Sequence, residues 1–453
     1  MGLKGLKKGE KFYFIGIGGV SMSGLAYFLI KNGYQVQGSD LFGGEQVEKL
    51  RMLGVDIAVG EAVDLTRVCG ADTVVYTDAI SQENKELNCA LFLNKRVYSR
   101  MDFLRLLCEE FSHVIAVAGS HGKTTCTAMC AHILKSAKVG FSAHIGGEDS
   151  EMGNFFFEGV DYLVTEACEY KKNLLKLVPE TAILLNIDCD HMECYDGEED
   201  LKNTFYAFCR SAKTAIVCLD DERSKGVENA VTFSILDKTA DYRASHLSSE
   251  RERYAFTVYE YGRKVCRVRL KTVGRCNVYN ALAAFAAMRS YGFSAEEIKR
   301  GLESFRAVKR RFEEIGTIFG ATAVCDYAHH PKEILSSIAT AKRICAGKLF
   351  VVFQPHTFSR TKALMEEFVS ALRGVERLMI YKTYPARERF NLEGDGKTLA
   401  ERIGNCLYSE SVVSLSAWLK RTVKETDCVL FLGAGDIYFL AQYLAKGVKN
   451  QKK

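Results

Sequence analysis

Strand-length apolar runs alternate with helical patterns through most of this sequence. Such alternation predicts α/β layers built around largely parallel sheets, since each element must bury its apolar face against another layer. The pattern restarts three times. A first block has strands at 12–17, 35–37 and 73–76 and runs to a helix at 101–110. A second has strands at 114–118, 162–165 and 182–185 and ends near a helix at 278–289. The third has strands near 321–325, 349–353, 377–381 and 428–432. Between 211 and 271 shorter alternating segments, such as 254–259 and 265–270, read as an antiparallel insertion. A chain of 453 residues exceeds what one hydrophobic core organises, and three domains suit it.

Composition serves mainly to exclude. With 47% hydrophobic and 26% charged residues the chain is neither disordered nor a coiled coil. Its net charge of +5 comes from dispersed lysines and arginines, so no nucleic-acid or membrane footprint is expected. Gly16, Gly18 and Gly19 interrupt the first apolar run, which argues against a signal peptide, and no run has the length of a membrane span. Sixteen cysteines without a CxxC pair read as reduced thiols, and the expected compartment is the cytoplasm. Cys189, His191 and Cys194 match no common zinc spacing and lack a fourth ligand.

Two glycine-rich turns carry chemistry. The first is Gly16-Ile17-Gly18-Gly19-Val20-Ser21-Met22-Ser23-Gly24 after a strand, with Asp40 ending the next one. Glycines let backbone N–H groups approach a diphosphate at a helix N-terminus, and a following acid can accept ribose hydroxyls. Ser21 stands at the third glycine position, and the turn suits NAD, FAD or a UDP-sugar equally. The second is Gly119-Ser120-His121-Gly122-Lys123-Thr124-Thr125, again after a strand. It is a shortened phosphate loop for a nucleoside triphosphate: backbone amides cradle the phosphates, Lys123 neutralises the β and γ oxygens, and a threonine hydroxyl reaches Mg²⁺. Glu166 and the run Asn186-Ile187-Asp188-Cys189-Asp190-His191 follow two further strands, at the carboxyl edge where a metal-nucleotide sits. Two ligand sites side by side favour a transferase or ligase over an NAD-dependent oxidoreductase, which would leave 119–125 unexplained.

In chain order these segments resemble the Mur ligase family. The more specific elements are Asn277-Val278-Tyr279-Asn280-Ala281-Leu282-Ala283-Ala284, Lys309-Arg310-Arg311-Phe312-Glu313, Asp326-Tyr327-Ala328-His329-His330-Pro331, Gln354-Pro355-His356-Thr357-Phe358-Ser359-Arg360-Thr361 and Gly433-Ala434-Gly435-Asp436-Ile437. The resemblance implies a Rossmann-like UDP-sugar domain over 1–110, a central phosphate-loop ATPase domain over 111–308 and a Rossmann-like amino-acid domain over 309–453. It implies ATP-dependent ligation of L-alanine to the lactyl carboxylate of UDP-N-acetylmuramate through an acyl phosphate, in peptidoglycan biosynthesis. A sibling activity, addition of an intact tripeptide to the same UDP-sugar, shares most of these motifs. Carried over by residue, Gly16, Gly18, Ser21, Met22, Ser23 and Asp40 would line the UDP-sugar site. Gly119, Ser120, His121, Gly122, Lys123, Thr124, Thr125, Asn277, Asn280, Arg311 and Asp326 would bind ATP. Thr124, Glu166 and His191 would hold Mg²⁺. His329, His356 and Arg360 would face the amino acid, with Lys123, His329, His330 and Arg360 as the catalytic set and His329 or His330 as the base for the amine. Sibling enzymes bridge a second Mg²⁺ with a carbamylated lysine, which the helix at 201–210 does not offer at the corresponding position.

Overall fold

The computed structural model describes residues 6, 7, 9–61, 65–81, 83–189, 192–386 and 388–447. The chain divides into two compact units, Met1–Ser248 with Tyr254–Arg306, and Ser249–Arg253 with Ala307–Lys453. The first contains two sheets. Its five-stranded sheet runs Asp56–Val59, Gln35–Asp40, Lys11–Ile15, Thr73–Tyr76, Arg96–Ser99, all parallel. The order reverses at Lys11–Ile15, which makes the glycine turn after that strand the switch point where open α/β sheets bind ligands.

The ten-stranded sheet has His113–Ala118 near its middle, flanked in parallel by Tyr162–Glu166 and Thr181–Leu184. The inner residues of these strands are buried and mostly apolar because helices cover both faces. Beyond Thr181–Leu184 come Thr214–Cys218, Val231–Ser234, Tyr242–Glu250, Arg253–Glu260 and Arg263–Val273. The segments expected as an antiparallel insertion extend this sheet, and the parallel pairing continues as far as Phe233 with Tyr242. Alternating polarity in that stretch marks edge strands with one solvated face, which a sequence pattern does not distinguish from an independent hairpin layer.

On the other flank, Phe141–Asp149 and Gly153–Phe157 form a hairpin against which the helix Val20–Lys31 packs. Phe28, fully buried on that helix, meets Phe155, Phe157 and Phe111 at ring-centroid distances of 5.5, 5.3 and 6.0 Å. One apolar cluster thus runs from the first sheet into the second and fixes the glycine turn relative to the hairpin.

The second unit has a six-stranded sheet in the order Glu313–Ile318, Ala321–Asp326, Cys428–Leu432, Leu349–Phe353, Leu378–Tyr381, Leu407–Ser409, parallel except for the first pair. Leu349–Phe353 and Cys428–Leu432 match the expected bounds, as continuous apolar runs ended by a glycine or proline turn should. Among the described residues no helix is long and apolar enough to cross a membrane.

Replacing Phe28 with alanine removes the ring at the centre of the shared cluster, and the unfolding free energy should fall by about 3–5 kcal/mol. Urea titration followed by circular dichroism reads this; a loss below about 1 kcal/mol would show that the cluster contributes little.

Candidate active site

The segment 119–122 leaves the central strand at its carboxyl end, level with Glu166 on one neighbour, since Val117 pairs with Glu166 and Ala118 with Leu184. Gly122 has φ +88°, and a Cβ there would lie 2.5 Å from Asn280 Oδ1, so both conformation and space require glycine. The helix Lys123–Ala137 starts immediately after it, with no side-chain cap and no acid in its first turn. The positive end of its dipole therefore faces the loop with no acid in that turn to offset it.

Asn186 rivets the loop. His121 N–H donates to Asn186 Oδ1 at 2.9 Å and Asn186 Nδ2 donates to the His121 carbonyl at 3.0 Å. Ser120 Oγ accepts the Asp188 N–H at 2.7 Å. Asn280 reaches the same place from the helix Cys276–Ser290 and donates to Asn277 Oδ1 at 3.1 Å. Gly119, Ser120, His121, Gly122, Lys123, Asn277 and Asn280 are thus assembled around one turn, with Thr124 buried beneath it and Thr125 half-buried.

Lys123 is largely buried, and its Nζ donates to Glu169 Oε1 at 2.7 Å and to the Gly119 carbonyl at 2.6 Å. Burial pulls the ammonium down, but the Glu169 carboxylate, helped by Cys168 and Glu166, outweighs it and holds the group above its ordinary value. Glu169 is itself buried, and its second oxygen, Oε2, has no hydrogen-bond partner. This residue was missed by motif reading. The signal available was its place three residues after Glu166 in the string Glu166-Ala167-Cys168-Glu169.

Glu166 Oε1 accepts the Gly146 N–H at 2.6 Å. A threonine hydroxyl and a carboxylate are hard oxygen donors, the set Mg²⁺ takes when phosphate oxygens and water complete its octahedron, so Thr124 and Glu166 suit it. Among the described residues no cluster of three or more His, Cys, Asp or Glu side chains could hold a metal ion as an all-protein cage. His191 lies outside the described residues.

At the first glycine turn, Gly18 N–H donates to Asp40 Oδ2 at 2.8 Å and Phe42 N–H to Oδ1 at 3.1 Å. Asp40 therefore braces the turn, a role that a spacing rule for ribose recognition does not anticipate. Gly16 N–H donates to the Ser39 carbonyl at 2.8 Å. Met22 and Ser23 have buried side chains: Met22 belongs to the shared core, and Ser23 Oγ bonds the Val20 carbonyl at 3.0 Å. Ser21 Oγ stays half-buried and contacts Arg100 and His144.

In the second unit the carboxyl edge gathers Asp326, His329, His356 and Arg360. The rings of His329 and His356 are 6.0 Å apart, His356 stacks on Tyr384 at 5.5 Å, and Arg360 Nη1 lies 3.4 Å from His356 Nδ1. Burial, then His329 and Arg360, lowers His356 to about 4, so it is neutral at pH 7. His330 is buried as the N-cap of the helix Pro331–Ile344, where its N–H and that of His329 donate to Glu333. Arg311 stacks on Tyr327 at 5.0 Å. Asp326 accepts the Ser337 hydroxyl at 2.5 Å, yet burial outweighs this bond and the pull of Arg311 and raises its carboxyl to about 6.

A carboxyl raised in the folded state stabilises below its unfolded value near 4 and loses that contribution as pH rises through 6. Relative to the parent, Asp326→Asn should therefore gain stability between pH 4.5 and pH 7. Urea midpoints at the two pH values read the difference, and parallel pH profiles would contradict it.

Comparison with known proteins identifies the family over most of the chain. Residues 11–112 match the model of the Mur ligase family catalytic domain, 117–288 that of the Mur ligase middle domain and 310–435 that of the Mur ligase glutamate ligase domain. The chain is 37% identical to the UDP-N-acetylmuramate–L-alanine ligase of Caldicellulosiruptor bescii, over 94% of this chain and 96% of that one. It is 36% identical to the enzyme of the same name from Clostridium tetani, over 96% and 97%. The crystal structure of UDP-N-acetylmuramate-alanine ligase MurC from Thermotoga maritima superposes with a TM-score of 0.85 at 28% identity, covering 97% of this chain and 99% of that one. A murein peptide ligase from Psychrobacter arcticus shares the fold, with a TM-score of 0.76 at 24% identity over 98% and 99%. With three family domains in order, relatives above one-third identity over nearly their full length, and a phosphate loop at the carboxyl edge of the central sheet, the chain belongs to the Mur ligase family of ATP-dependent ligases.

Proposed function

We propose that this enzyme joins L-alanine to the lactyl carboxylate of UDP-N-acetylmuramate, with ATP split to ADP and phosphate, in the cytoplasmic stage of peptidoglycan synthesis. The observation that carries the reading is the phosphate loop whose Lys123 is held in place by Glu169 while Thr124 and Glu166 stand beside it. The alanine ligases of C. bescii and C. tetani support the choice of amino acid, since the likeness extends over the whole length of each.

A carboxylate is a poor electrophile, so the sugar-borne acid first attacks the γ-phosphorus, ADP leaves, and an acyl phosphate results. The alanine amine then attacks the acyl carbon, expels phosphate and loses a proton. Lys123 and the amides of 119–122 position the triphosphate and offset charge on the transferring phosphoryl group. Bound at Thr124 and Glu166, Mg²⁺ would add Lewis-acid polarisation of the phosphoryl oxygens. The turn at 16–21 is assigned to the UDP diphosphate. His356 and Arg360 are assigned to the amino acid, and Arg311 and Asp326 to the nucleotide. His329 is our choice of base: Nδ1 lies 3.0 Å from the Tyr327 carbonyl, which can only accept, so Nδ1 carries the proton and Nε2 is the basic nitrogen. His330 is assigned to capping its helix.

Phosphate release with ATP, Mg²⁺ and UDP-N-acetylmuramate, with each amino acid and the tripeptide supplied in turn, tests the proposal. L-Alanine should give the highest kcat/KM by at least tenfold; preference for the tripeptide would transfer the chain to the recycling activity. Lys123→Ala should abolish release while UDP-sugar binding persists, and His329→Ala should remove the acidic limb of the pH–rate profile.

A further inference from the structure

A single imidazole lies between the turn assigned to the UDP-sugar and the strand end assigned to the metal-nucleotide. His144, on Phe141–Asp149, is buried and paired in register with Thr165 on Tyr162–Glu166. Its Nε2 is 2.9 Å from Ser21 Oγ and 3.4 Å from the Ser21 carbonyl, and its Nδ1 is 3.0 Å from Thr165 Oγ1. Thr165 Oγ1 is in turn 3.4 Å from the Glu166 carbonyl, and Gly146, on the same strand as His144, holds the Glu166 carboxylate. Arg100 Nη1 donates to Ser21 Oγ at 3.2 Å. Burial, and then the charge of Arg100, lowers His144 to about 4, so the ring is neutral and carries one proton.

A neutral ring can pair with the two hydroxyls in two ways, of which only the second also turns a donor toward the Ser21 carbonyl. In the first, Ser21 donates to Nε2, Nδ1–H donates to Thr165, and Thr165 donates to the Glu166 carbonyl. In the second, Thr165 donates to Nδ1, Nε2–H donates to Ser21, and the Ser21 hydroxyl proton is free to point at a ligand. Phosphate oxygens of a bound nucleotide-sugar only accept, so they select the second arrangement. The Thr165 hydroxyl then leaves the Glu166 carbonyl.

We propose that His144 is a positioning residue that couples occupancy of the UDP-sugar turn to the Glu166 end of the ATP site by exchanging these two hydrogen-bond patterns. The inference rests on the assignments of Ser21 and Glu166 made under the proposed function. Because coupling between sites is reciprocal, each ligand must alter the affinity of the other by the same factor.

Titration calorimetry of the full chain with UDP-N-acetylmuramate, with and without a non-hydrolysable ATP analogue and Mg²⁺, measures that factor. In the parent protein it should differ from one by about three- to tenfold, the scale of one exchanged neutral hydrogen bond. Thr165→Val, which keeps the β-branched shape the strand needs, should bring the factor to within twofold of one while each ligand alone still binds, and His144→Leu should do the same. The ¹⁵N shifts of the His144 ring should move from the Nδ1–H to the Nε2–H pattern when the UDP-sugar is added. A factor of one in the parent, or an unchanged factor in Thr165→Val, overturns the coupling and leaves the ligase reading intact. Failure of the parent to bind the UDP-sugar at all removes the ligase reading instead.

Discussion

A buried ammonium needs a counter-charge, and the active loop is organised around how Lys123 obtains one. The lysine is held by Glu169 and by the carbonyl of Gly119, the residue that begins its own loop. An unpaired charge at that depth would cost several kcal/mol, so the pairing keeps the loop in shape. The acceptors of the ammonium are one carboxylate and the Gly119 and Ser120 carbonyls, and the second oxygen of Glu169 has no hydrogen-bond partner.

The sheets explain why so few residues suffice. In both units the strands deliver their chemistry at the carboxyl edge: Gly119–Lys123 after one strand and Glu166 at the end of its neighbour, then Asp326, Gln354 and Gly433 in the second unit. The register of parallel pairs sets these positions to within a residue, and the four-residue loop is braced by Asn186 and by the Asp188 amide. The aromatic cluster about Phe28 does comparable work for the first glycine turn, holding its helix against the hairpin that carries His144.

What could be read from the sequence was local. Residues 119–125 announce themselves because the strand, the glycines and the lysine are contiguous, and continuous apolar runs such as Leu349–Phe353 have few alternatives. What escaped was non-local or depended on how a polar group is spent. The bond from Ser21 to His144 spans 123 positions of sequence, and nothing near either residue signals it. Asp40 has the spacing of a ribose-binding acid, and one of its oxygens also braces the glycine turn while the other accepts the Phe42 amide. His329 and His330 are equivalent on paper, and only the start of the helix at Pro331 separates an N-cap from a ring that faces His356. The segments after 211 showed strand periodicity correctly, but periodicity does not say which sheet a strand joins.

In the proposed function, the loop around Lys123 grips a triphosphate so that a sugar-borne carboxylate takes its γ-phosphoryl group. Oxygen tracing reads that transfer directly. With ¹⁸O in the lactyl carboxylate of UDP-N-acetylmuramate, mass spectrometry of the released phosphate should find one labelled oxygen per turnover, because the acyl phosphate breaks at the carbon. Phosphate carrying only solvent or nucleotide oxygen would contradict the account.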